Sequence, residues 1–424
     1  MLLKIGETML AFNNAQYNEV KRVLDKHAGA IPDSIHGPDR VSYLAERMSL
    51  ISSNEHSMMV HFINHLLHLM VEREASDIEI GGYATKGSVW MRIYGTKKTI
   101  DDVAKLSYDE ASLLILCLLN EGQRSRLMLY RNLDFSYTFR LPGTDKNIRF
   151  RADAYFDLDT LGLNMRAISV KLRTIDEIGF HPAVMKVFNH QYVKQGLVLI
   201  TGITGSGKST TLDAIVDLHN NIDPSHIVVI ASPVEYVHES KRALIRHREV
   251  GRDVLSFKEG VIQSLRQDPD IIVIGEMRDP DTIMAALEVT DTGHKVFSTL
   301  HTSSAVESID RIIAEVSPHE QERVRNRLAD VLTAVVSQKL IPSLDGKRVL
   351  AKEVLVVNAN VRAAIKNNNT SEIYLMINQA SAMGMITMEQ DLKRLYELKK
   401  ISLDNAISFA NNKVRMKQIL GLAQ

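Results

Sequence analysis

Two histidines frame a short apolar run in the segment "GHKVFSTLHTSSA", where His294 and His301 stand seven positions apart. Imidazoles in such a pattern could bind a metal ion, transfer protons, or serve as hydrogen-bonded core side chains. No third ligand occurs at a useful spacing, so the sequence disfavours a metal pair. Other segments of the chain must decide between the remaining roles.

A glycine-rich segment supplies the strongest chemical signal. "GITGSGKS", residues 202–209, matches the phosphate-loop pattern G-x-x-x-x-G-K-[ST] in full, between the apolar "GLVLIT" and the helical "TTLDAIVDLHN". Glycines allow backbone amides to face a phosphate, and the helix that follows adds the positive end of its dipole. Lys208 is predicted to bridge the β- and γ-phosphates, and Ser209 to bind Mg²⁺. The predicted nucleotide-binding residues are Gly202, Thr204, Gly205, Ser206, Gly207, Lys208, Ser209 and Thr210.

A carboxylate follows a second apolar strand, in "DPDIIVIGEMRDP". Glu276 lies at the carboxyl end of this strand, the end that faces ligands in parallel α/β sheets. A carboxylate there could orient water for attack on a γ-phosphate. The alternative is a surface carboxylate that caps a helix. Gly275 stands where many phosphate-loop enzymes carry aspartate, which leaves Mg²⁺ to Ser209 and water.

The composition limits the classes of protein that could carry these residues. A length of 424 residues with 45% hydrophobic side chains predicts two domains with substantial cores. Fifty-one basic and 51 acidic residues give no net basic field, which argues against nucleic-acid partners. The sole cysteine, Cys117, excludes an intramolecular disulfide and a cysteine metal cluster. Neither a signal peptide nor a bilayer-spanning run is evident, so we expect a cytoplasmic protein without direct membrane insertion.

The pattern of elements along the chain predicts an α/β protein preceded by a smaller α+β domain. Residues 1–55 are expected to form a helical extension and 56–172 the small α+β domain, with a linker at 173–185. From 186 to 345, continuous apolar strands alternate with helices, which predicts a parallel sheet covered on both faces. After residue 305 the chain is expected to be largely helical, interrupted by the strand-like "RVLAKEVLVV", and residues 346–424 are expected to form a mostly helical C-terminal region.

The order and spacing of "GITGSGKST", "IIVIGEMRD" and "GHKVFSTLHTSSA" resemble those of the type II/IV secretion ATPases. The likeness covers about residues 60–420. "NVRAAIKNNNTSEI" and "GMITMEQDLKRLYELKKISLDNAISFA" favour the branch that retracts type IV pili. The resemblance implies a ring homo-hexamer that uses ATP and Mg²⁺. Each subunit would have a PAS-like domain, a RecA-like P-loop ATPase domain with a parallel sheet, and a C-terminal helical region.

Individual residues acquire roles from this resemblance. His294 and His301 fall on the family's histidine box, where His301 would couple the state of the γ-phosphate to domain movement. His294 is expected either to share that role or to be a hydrogen-bonded structural residue. The resemblance also implies a set of arginines that sense the phosphates, partly across the subunit interface: Arg149, Arg151, Arg166 and Arg311. The alternative for the strand arginines is ordinary surface ion pairing.

The acidic box departs from the family pattern, which reads Glu-Asp-Pro-x-Glu. Here "ASPVE" retains Glu235, expected to hold Mg²⁺ through water, but Ala231 and Ser232 replace two acids. We therefore expect a hexameric motor at the base of a type IV pilus, docked on an inner-membrane platform protein, and keep two alternatives. One is a type IVB or conjugative secretion ATPase, and the other is a weakly hydrolysing regulator of a partner motor.

Overall fold

A computed structural model describes residues 14–101, 103–141, 147–168 and 172–422 of the chain. The chain divides into two compact units, residues 1–170 and 171–424. This division differs from the predicted one, which placed boundaries at residues 55, 172, 185 and 345.

The first unit combines helices with an antiparallel sheet. Its helices are α1 (Asn14–Ala28), α2 (Pro38–Arg47), α3 (Ser53–Glu72), α4 (Tyr108–Cys117) and α5 (Glu121–Tyr130). Its strands are β1 (Ala75–Gly81), β2 (Trp90–Ile93), β3 (Thr96–Thr99), β4 (Asn132–Arg140), β5 (Asn147–Asp157) and β6 (Thr160–Ala167). The described residues pair as a six-stranded sheet in the order β3-β2-β1-β6-β5-β4. Cys117 is buried at the end of α4, and burial raises the pKa of its thiol.

The predicted N-terminal extension is part of this unit's core. Val20 and Leu24 of α1 and Leu44 of α2 are buried in one hydrophobic cluster with Phe62 and Leu66 of α3. Alternation of apolar and polar residues at helical spacing gives α1 and α2 one buried face each, and α3 and α4 cover it. Residues 1–13 of the predicted extension lie outside the described residues.

The second unit is a mixed α/β structure. Its strands are β7 (Gly196–Thr201), β8 (His226–Ala231), β9 (Leu244–Glu249), β10 (Ile271–Ile274), β11 (Lys295–Leu300), β12 (Leu332–Pro342) and β13 (Arg348–Val356). Its helices are α6 (Ile175–Ile178), α7 (Pro182–Phe188), α8 (Lys208–Ile222), α9 (Phe257–Ser264), α10 (Pro280–Asp291), α11 (Ala305–Ala314), α12 (Gln321–Val331), α13 (Ala359–Lys366), α14 (Ile373–Gln379), α15 (Met388–Glu397), α16 (Leu403–Ser408) and α17 (Lys413–Ile419). Among the helices of the described residues, none is both long and apolar enough to span a bilayer.

A largely parallel sheet organises the second unit. Within residues 172–422, the strands pair in the order β13-β12-β7-β11-β10-β8-β9, and β13 runs antiparallel to β12. Every residue of β7, β10 and β11 is buried, which is the pattern expected where helices cover both faces of a parallel sheet. The prediction of an α/β fold with a parallel sheet and helices is therefore confirmed.

Three features of this unit differ from the predicted organisation. The segment predicted as a linker carries Ile175, Val184 and Phe188, which are buried in the sheet's own hydrophobic core. Strand β12 lies in a region that we predicted to be largely helical. Strand β13 belongs to the large sheet, so the sheet does not end at residue 345. Helices α15 to α17 form a smaller apolar cluster against β12 and β13.

Candidate active site

The loops that follow four parallel strands meet at one edge of the second unit's sheet. Leu300 at the end of β11 pairs with Thr201 at the end of β7. Ile274 at the end of β10 pairs with Ile230 of β8 on one side and with Ser298 of β11 on the other. The residues that follow β7, β8, β10 and β11 are called the carboxyl edge from here on. It contains the glycine loop, the acidic box, Glu276 and His301.

The glycine loop, residues 202–207, depends on two glycines. Gly202 has φ +145°, and a Cβ there would lie 2.4 Å from the Ser206 Oγ and 2.5 Å from the Gln338 carbonyl oxygen. Gly207 has φ +93° and directly precedes the first residue of α8. A larger residue at Gly202 would displace the loop from β12, and one at Gly207 would strain the helix start. The loop thus holds its amides beside a helix N-terminus, which favours an anion.

Lys208 is the first residue of α8, and 9% of its surface is exposed. Its Nζ donates hydrogen bonds to the Gly202 carbonyl at 2.8 Å and to the Ile203 carbonyl at 3.2 Å. Burial lowers the pKa of Lys208, while the charges of Glu276 and Glu235 oppose that effect. The ammonium therefore lies within the glycine loop and within electrostatic reach of both predicted carboxylates.

The other predicted nucleotide-binding residues divide into exposed and buried groups. Thr204, Ser209 and Thr210 are exposed, and Ser209 is the second residue of α8. Ser206 is buried, and its Oγ has no hydrogen-bond partner among the described residues. Ser209 is therefore accessible at the helix start, as a metal ligand would have to be.

Glu276 lies two residues after β10 and is mostly buried, with 13% of its side chain exposed. Its Oε2 forms an ion pair with the Arg278 Nε at 2.6 Å and lies 3.7 Å from the His301 Nε2. At the preceding position, a Cβ on Gly275 would lie 3.2 Å from the Ala231 Cα. Any side chain at Gly275 would press on the backbone of β8, so aspartate would require the two strand ends to separate.

His301 follows β11 directly, with 40% of its side chain exposed. Partial burial and the positive charge of Lys208 lower the pKa of His301, and Glu276 acts in the opposite direction. The imidazole is therefore neutral near pH 7 and can accept as well as donate a hydrogen bond. Arg311 of α11 donates from its Nη1 to the His301 carbonyl at 3.3 Å, and its Nε lies 3.5 Å from Glu315.

His294 lies at the opposite edge of the sheet, before the first residue of β11. Its Nδ1 is 3.0 Å from the Thr292 Oγ1 and 3.2 Å from the Val289 carbonyl. The six residues of β11 separate His294 from His301, so the structure does not bring the two histidines together. A catalytic role for His294 finds no support in this placement. Among the described residues, no three His, Cys, Asp or Glu side chains could hold a metal ion together.

The acidic box begins at the end of β8. Ala231 is the last residue of that strand and Ser232 follows it, and both are half-buried. Glu235 is also half-buried and raises the pKa of Lys208 through its charge. Glu249, at the end of β9, accepts a hydrogen bond from the Val234 amide at 3.0 Å, which fixes the backbone of the box. Glu235 is thus the residue of the acidic box that the structure places near Lys208.

Three of the predicted arginines share one face of the first unit's sheet. Arg151 of β5 pairs directly with Arg166 of β6, and Arg149 lies two positions from Arg151 on the same face. Arg166 donates from its Nε to the Oδ1 of the buried Asp77 at 2.7 Å. The Arg149 Nη1 donates to Thr138 at 3.1 Å. The structure therefore brings Arg149, Arg151 and Arg166 together on one face of this sheet. The fourth predicted arginine, Arg311, lies in the second unit.

Several side chains at the carboxyl edge were not predicted from the sequence. Gln338 of β12 is buried, and its Nε2 donates to the Thr211 Oγ1 at 2.7 Å. The hydroxyls of Thr201 and Ser337 lie 2.8 Å apart. Both β12 residues were missed because this segment was predicted to be helical. Arg278 could have been found from its position two residues after Glu276.

A parallel sheet whose carboxyl edge carries a glycine loop, a lysine and a strand-end carboxylate defines an α/β protein built to bind phosphate groups. Comparison with known proteins narrows this class. The chain belongs to the family described as type II/IV secretion system protein, whose model matches residues 52–418.

Three relatives illustrate the similarity. The type IV pilus retraction ATPase PilT of Pseudomonas aeruginosa is 38% identical over 344 residues, which cover 81% of this chain and 96% of that protein. A crystal structure of the pilus retraction motor PilT with bound ADP is 34% identical, covers 84% of this chain and 99% of that one, and gives a TM-score of 0.73. An X-ray structure of the ATPase DotB of Legionella pneumophila is 27% identical. It covers 86% of this chain and 96% of that one, and it gives a TM-score of 0.72. The predicted resemblance to the secretion ATPases and their pilus retraction branch is confirmed.

Proposed function

We propose that this protein is a hexameric motor that hydrolyses ATP to retract a type IV pilus from the cytoplasmic side. The observation that carries the proposal is the convergence of Lys208, Glu276 and His301 at one sheet edge, in a chain that covers 96% of a pilus retraction ATPase. Membership of the secretion ATPase family makes the chain an ATPase. The same family supports a PAS-like first unit and a RecA-like second unit with a phosphate-binding loop.

Each residue of the carboxyl edge has a proposed part in hydrolysis. The amides of the glycine loop and the Lys208 ammonium bind the β- and γ-phosphates. Glu276 accepts the proton of the attacking water, and its ion pair with Arg278 holds the carboxylate in place until substrate binds. Neutral His301, 3.7 Å from Glu276, senses whether the γ-phosphate is present and passes that state to α11. His294 is assigned a structural role through its bonds to Thr292 and Val289.

The residues present fit a magnesium ion that accompanies the nucleotide. Ser209 exposes a hydroxyl at the start of α8, and Glu235 places a carboxylate near Lys208, which are the oxygen ligands that Mg²⁺ prefers. Ser209 would bind the ion directly and Glu235 through water. When bound, the ion would supply positive charge to the phosphate oxygens.

The proposed assembly is a homo-hexamer in which arginines of one subunit act on the nucleotide of its neighbour. Arg149 and Arg151 lie on one face of the first unit's sheet, where Arg151 is exposed and Arg149 is half-buried, and a neighbouring subunit could meet them there. Arg166 is bound to Asp77 and would have to exchange that partner for a phosphate. Arg311 acts from within its own unit through the His301 carbonyl.

The proposed partner is a platform protein of the inner membrane, since a retraction motor must transmit its movement to the pilus base. Balanced charge, with 51 basic and 51 acidic residues, offers no general attraction to nucleic acid. We place the protein in the cytoplasm, peripheral to the membrane through this partner.

A second candidate is a type IVB or conjugative secretion ATPase, and the neutral pair Ala231 and Ser232 in the acidic box favours it. The fold does not separate the two, because TM-scores of 0.73 and 0.72 to PilT and DotB are nearly equal. Sequence identity, 34% against 27%, favours retraction. The same neutral pair keeps open a regulator that hydrolyses ATP weakly.

ATP hydrolysis by the purified hexamer tests the enzymatic part of the proposal. Lys208→Ala should abolish turnover because the phosphates lose their buried positive charge. Lys347→Ala, at a lysine whose side chain is 82% exposed, is the matched control and should leave the rate unchanged. Normal hydrolysis by the Lys208 variant would refute the site.

Retraction itself requires a cellular measurement. In cells that lack the native gene, the wild-type chain should restore pilus retraction and the Lys208 variant should not. Restored hydrolysis without restored retraction, together with secretion of a substrate protein, would favour the second candidate.

A further inference from the structure

One buried carboxylate joins the starts of two helices in the second unit. Glu353 of β13 is 2% exposed. Its Oε1 accepts a hydrogen bond from the Ala305 amide at 2.8 Å, and its Oε2 lies 3.4 Å from the Met388 amide, which donates to it. Ala305 is the first residue of α11 and Met388 the first residue of α15. A single side chain therefore satisfies an otherwise unpaired amide of each helix.

The surroundings of Glu353 explain how a carboxylate can lie there. Burial raises the pKa of Glu353 to about 7, and the two helix amides act in the opposite direction. Among its charged neighbours, Glu389 of α15 raises this pKa and Lys339 of β12 lowers it. The positive ends of both helix dipoles point at the carboxylate and favour its negative charge. Glu353 is thus held by the two helix starts rather than by a paired cation alone.

The α11 side of this connection leads to the carboxyl edge. The segment His301–Ser304 immediately precedes α11 and is bonded to it. The Thr302 and Ser308 hydroxyls lie 2.6 Å apart, and the Ser303 amide donates to Glu307 at 2.7 Å. With Arg311 bonded to the His301 carbonyl, this segment and the first turns of α11 form one hydrogen-bonded body.

The α15 side leads to the C-terminal helices. The Asn411 Nδ2 donates to the Ser303 carbonyl at 3.4 Å. Lys339 of β12 holds Asn411 in turn, through a bond from its Nζ to the amide oxygen at 2.6 Å and another to the Phe409 carbonyl at 2.8 Å. The C-terminal region therefore reaches the segment His301–Ser304 at a second point, beside the Glu353 connection.

Glu353 is also aligned with the glycine loop. It lies opposite Ser337 of β12, which pairs on its other side with Thr201, the residue before Gly202. Paired residues of neighbouring strands lie on the same face of a sheet. A row of polar residues thus runs from the start of the glycine loop to the carboxylate that holds α11 and α15.

We propose that Glu353 is a positioning residue that ties the His301–Ser304 segment to the C-terminal helices, so that movement of His301 at the carboxyl edge is transmitted to α15. The proposal rests on the proposed function, which gives His301 its role in sensing the γ-phosphate. It adds a route by which that signal leaves the site through the second unit itself.

The test compares Glu353→Gln with Glu389→Gln in the purified full-length hexamer. Glutamine retains the volume of glutamate, but it has only one acceptor oxygen. Its NH2 group, a donor, would therefore face one of the two helix amides, which is also a donor. Glu389 is the matched control because it is equally buried in the same region, yet its oxygens accept from Tyr374 and from the Asn412 amide. Glu353→Gln should lower kcat about tenfold with KM for ATP within about twofold, and Glu389→Gln should leave both near wild type.

Hydrogen exchange provides a second readout, which can be measured on the wild type as well as on the two variants. In the wild-type protein, ADP should change amide exchange at the starts of both α11 and α15. In Glu353→Gln, the change should persist at α11 and disappear at α15, while Glu389→Gln should retain both.

Two results would overturn the proposal. One is equal kcat for the two variants. The other is an ADP-dependent change in amide exchange that is confined to α11 in the wild type. This second result would refute the connection to α15 even if Glu353→Gln does not fold. Absence of ATP hydrolysis by the wild type would instead refute the motor assignment, while the ADP-dependent exchange at α15 would still test this connection.

Discussion

Replacing Lys295 by methionine should stabilise the protein at neutral pH. Lys295 is the first residue of β11 and has no exposed surface. Its Nζ donates to the Val187 carbonyl at 2.5 Å. Burial lowers the pKa of Lys295 to about 7. Methionine is unbranched and of similar length, so it can occupy the same space without an ionisable group.

The size of the effect follows from this pKa. Folding lowers it from 10.5 to about 7, and each pKa unit corresponds to about 1.4 kcal/mol, which sets a ceiling of about 5 kcal/mol at neutral pH. Methionine leaves the Val187 carbonyl unpaired, which costs about 1–3 kcal/mol. We therefore expect a net gain of at most about 2–4 kcal/mol in the free energy of unfolding at pH 7.

The dependence on pH identifies the cause. Between pH 7 and 10.5 the unfolded chain keeps a proton on Lys295 that the folded chain has lost, so wild-type stability rises with pH in this window. The methionine variant lacks this contribution. Urea unfolding at pH 7 and pH 9 should therefore show its advantage shrinking by about 2 kcal/mol. A variant that is less stable than wild type by the same amount at both pH values would show that Lys295 remains charged in the fold.

Three further predictions concern catalysis. Glu276→Gln should retain ATP binding, measured by titration, and lose at least about a hundredfold in kcat, whereas loss of binding would make Glu276 a structural residue. A mixture of the Arg149→Ala and Lys208→Ala variants should recover part of the ATPase activity, because some subunit interfaces then combine an intact arginine with an intact lysine. No recovery despite confirmed subunit exchange would exclude action across subunits. Ala231→Glu combined with Ser232→Asp should raise kcat about tenfold and strengthen the dependence on Mg²⁺, and an unchanged rate in a variant of normal melting temperature would remove both positions from catalysis.

The local patterns of the sequence were sufficient to predict the core of the second unit. Fully apolar runs with helical segments between them gave β7, β8, β10 and β11 and their parallel arrangement. The full phosphate-loop pattern placed Lys208 beside the carboxyl edge, and the strand end placed Glu276 there. These positions could be predicted because each depends on a few neighbouring residues and on the general rule that parallel strands end at a common edge, whereas the roles of Lys208 and Glu276 stay predictions.

The features that were missed depend on distant parts of the chain. β12 continues from α12 without glycine or proline, and its strand conformation comes from pairing with β7 on one side and β13 on the other. β9 is a partly polar edge strand, so it lacks the continuous apolar run that marked its neighbours. Glu353 carries no motif, because its partners Ala305 and Met388 lie 48 and 35 residues away in sequence.

The helices at the start of the first unit affect how this protein can be handled. The family match begins at residue 52, but α1 and α2 lie before it and their apolar side chains complete the core formed with α3 and α4. Arg40 of α2 also joins Asp109 of α4 through two hydrogen bonds, at 3.2 and 2.6 Å. A chain shortened to the matched residues would lose Val20, Leu24 and Leu44 from this core, together with Tyr17, whose ring lies 6.1 Å from that of Phe62. The shortest stable fragment of this protein must therefore start ahead of α1, and shorter ones should aggregate before their ATPase activity can be measured.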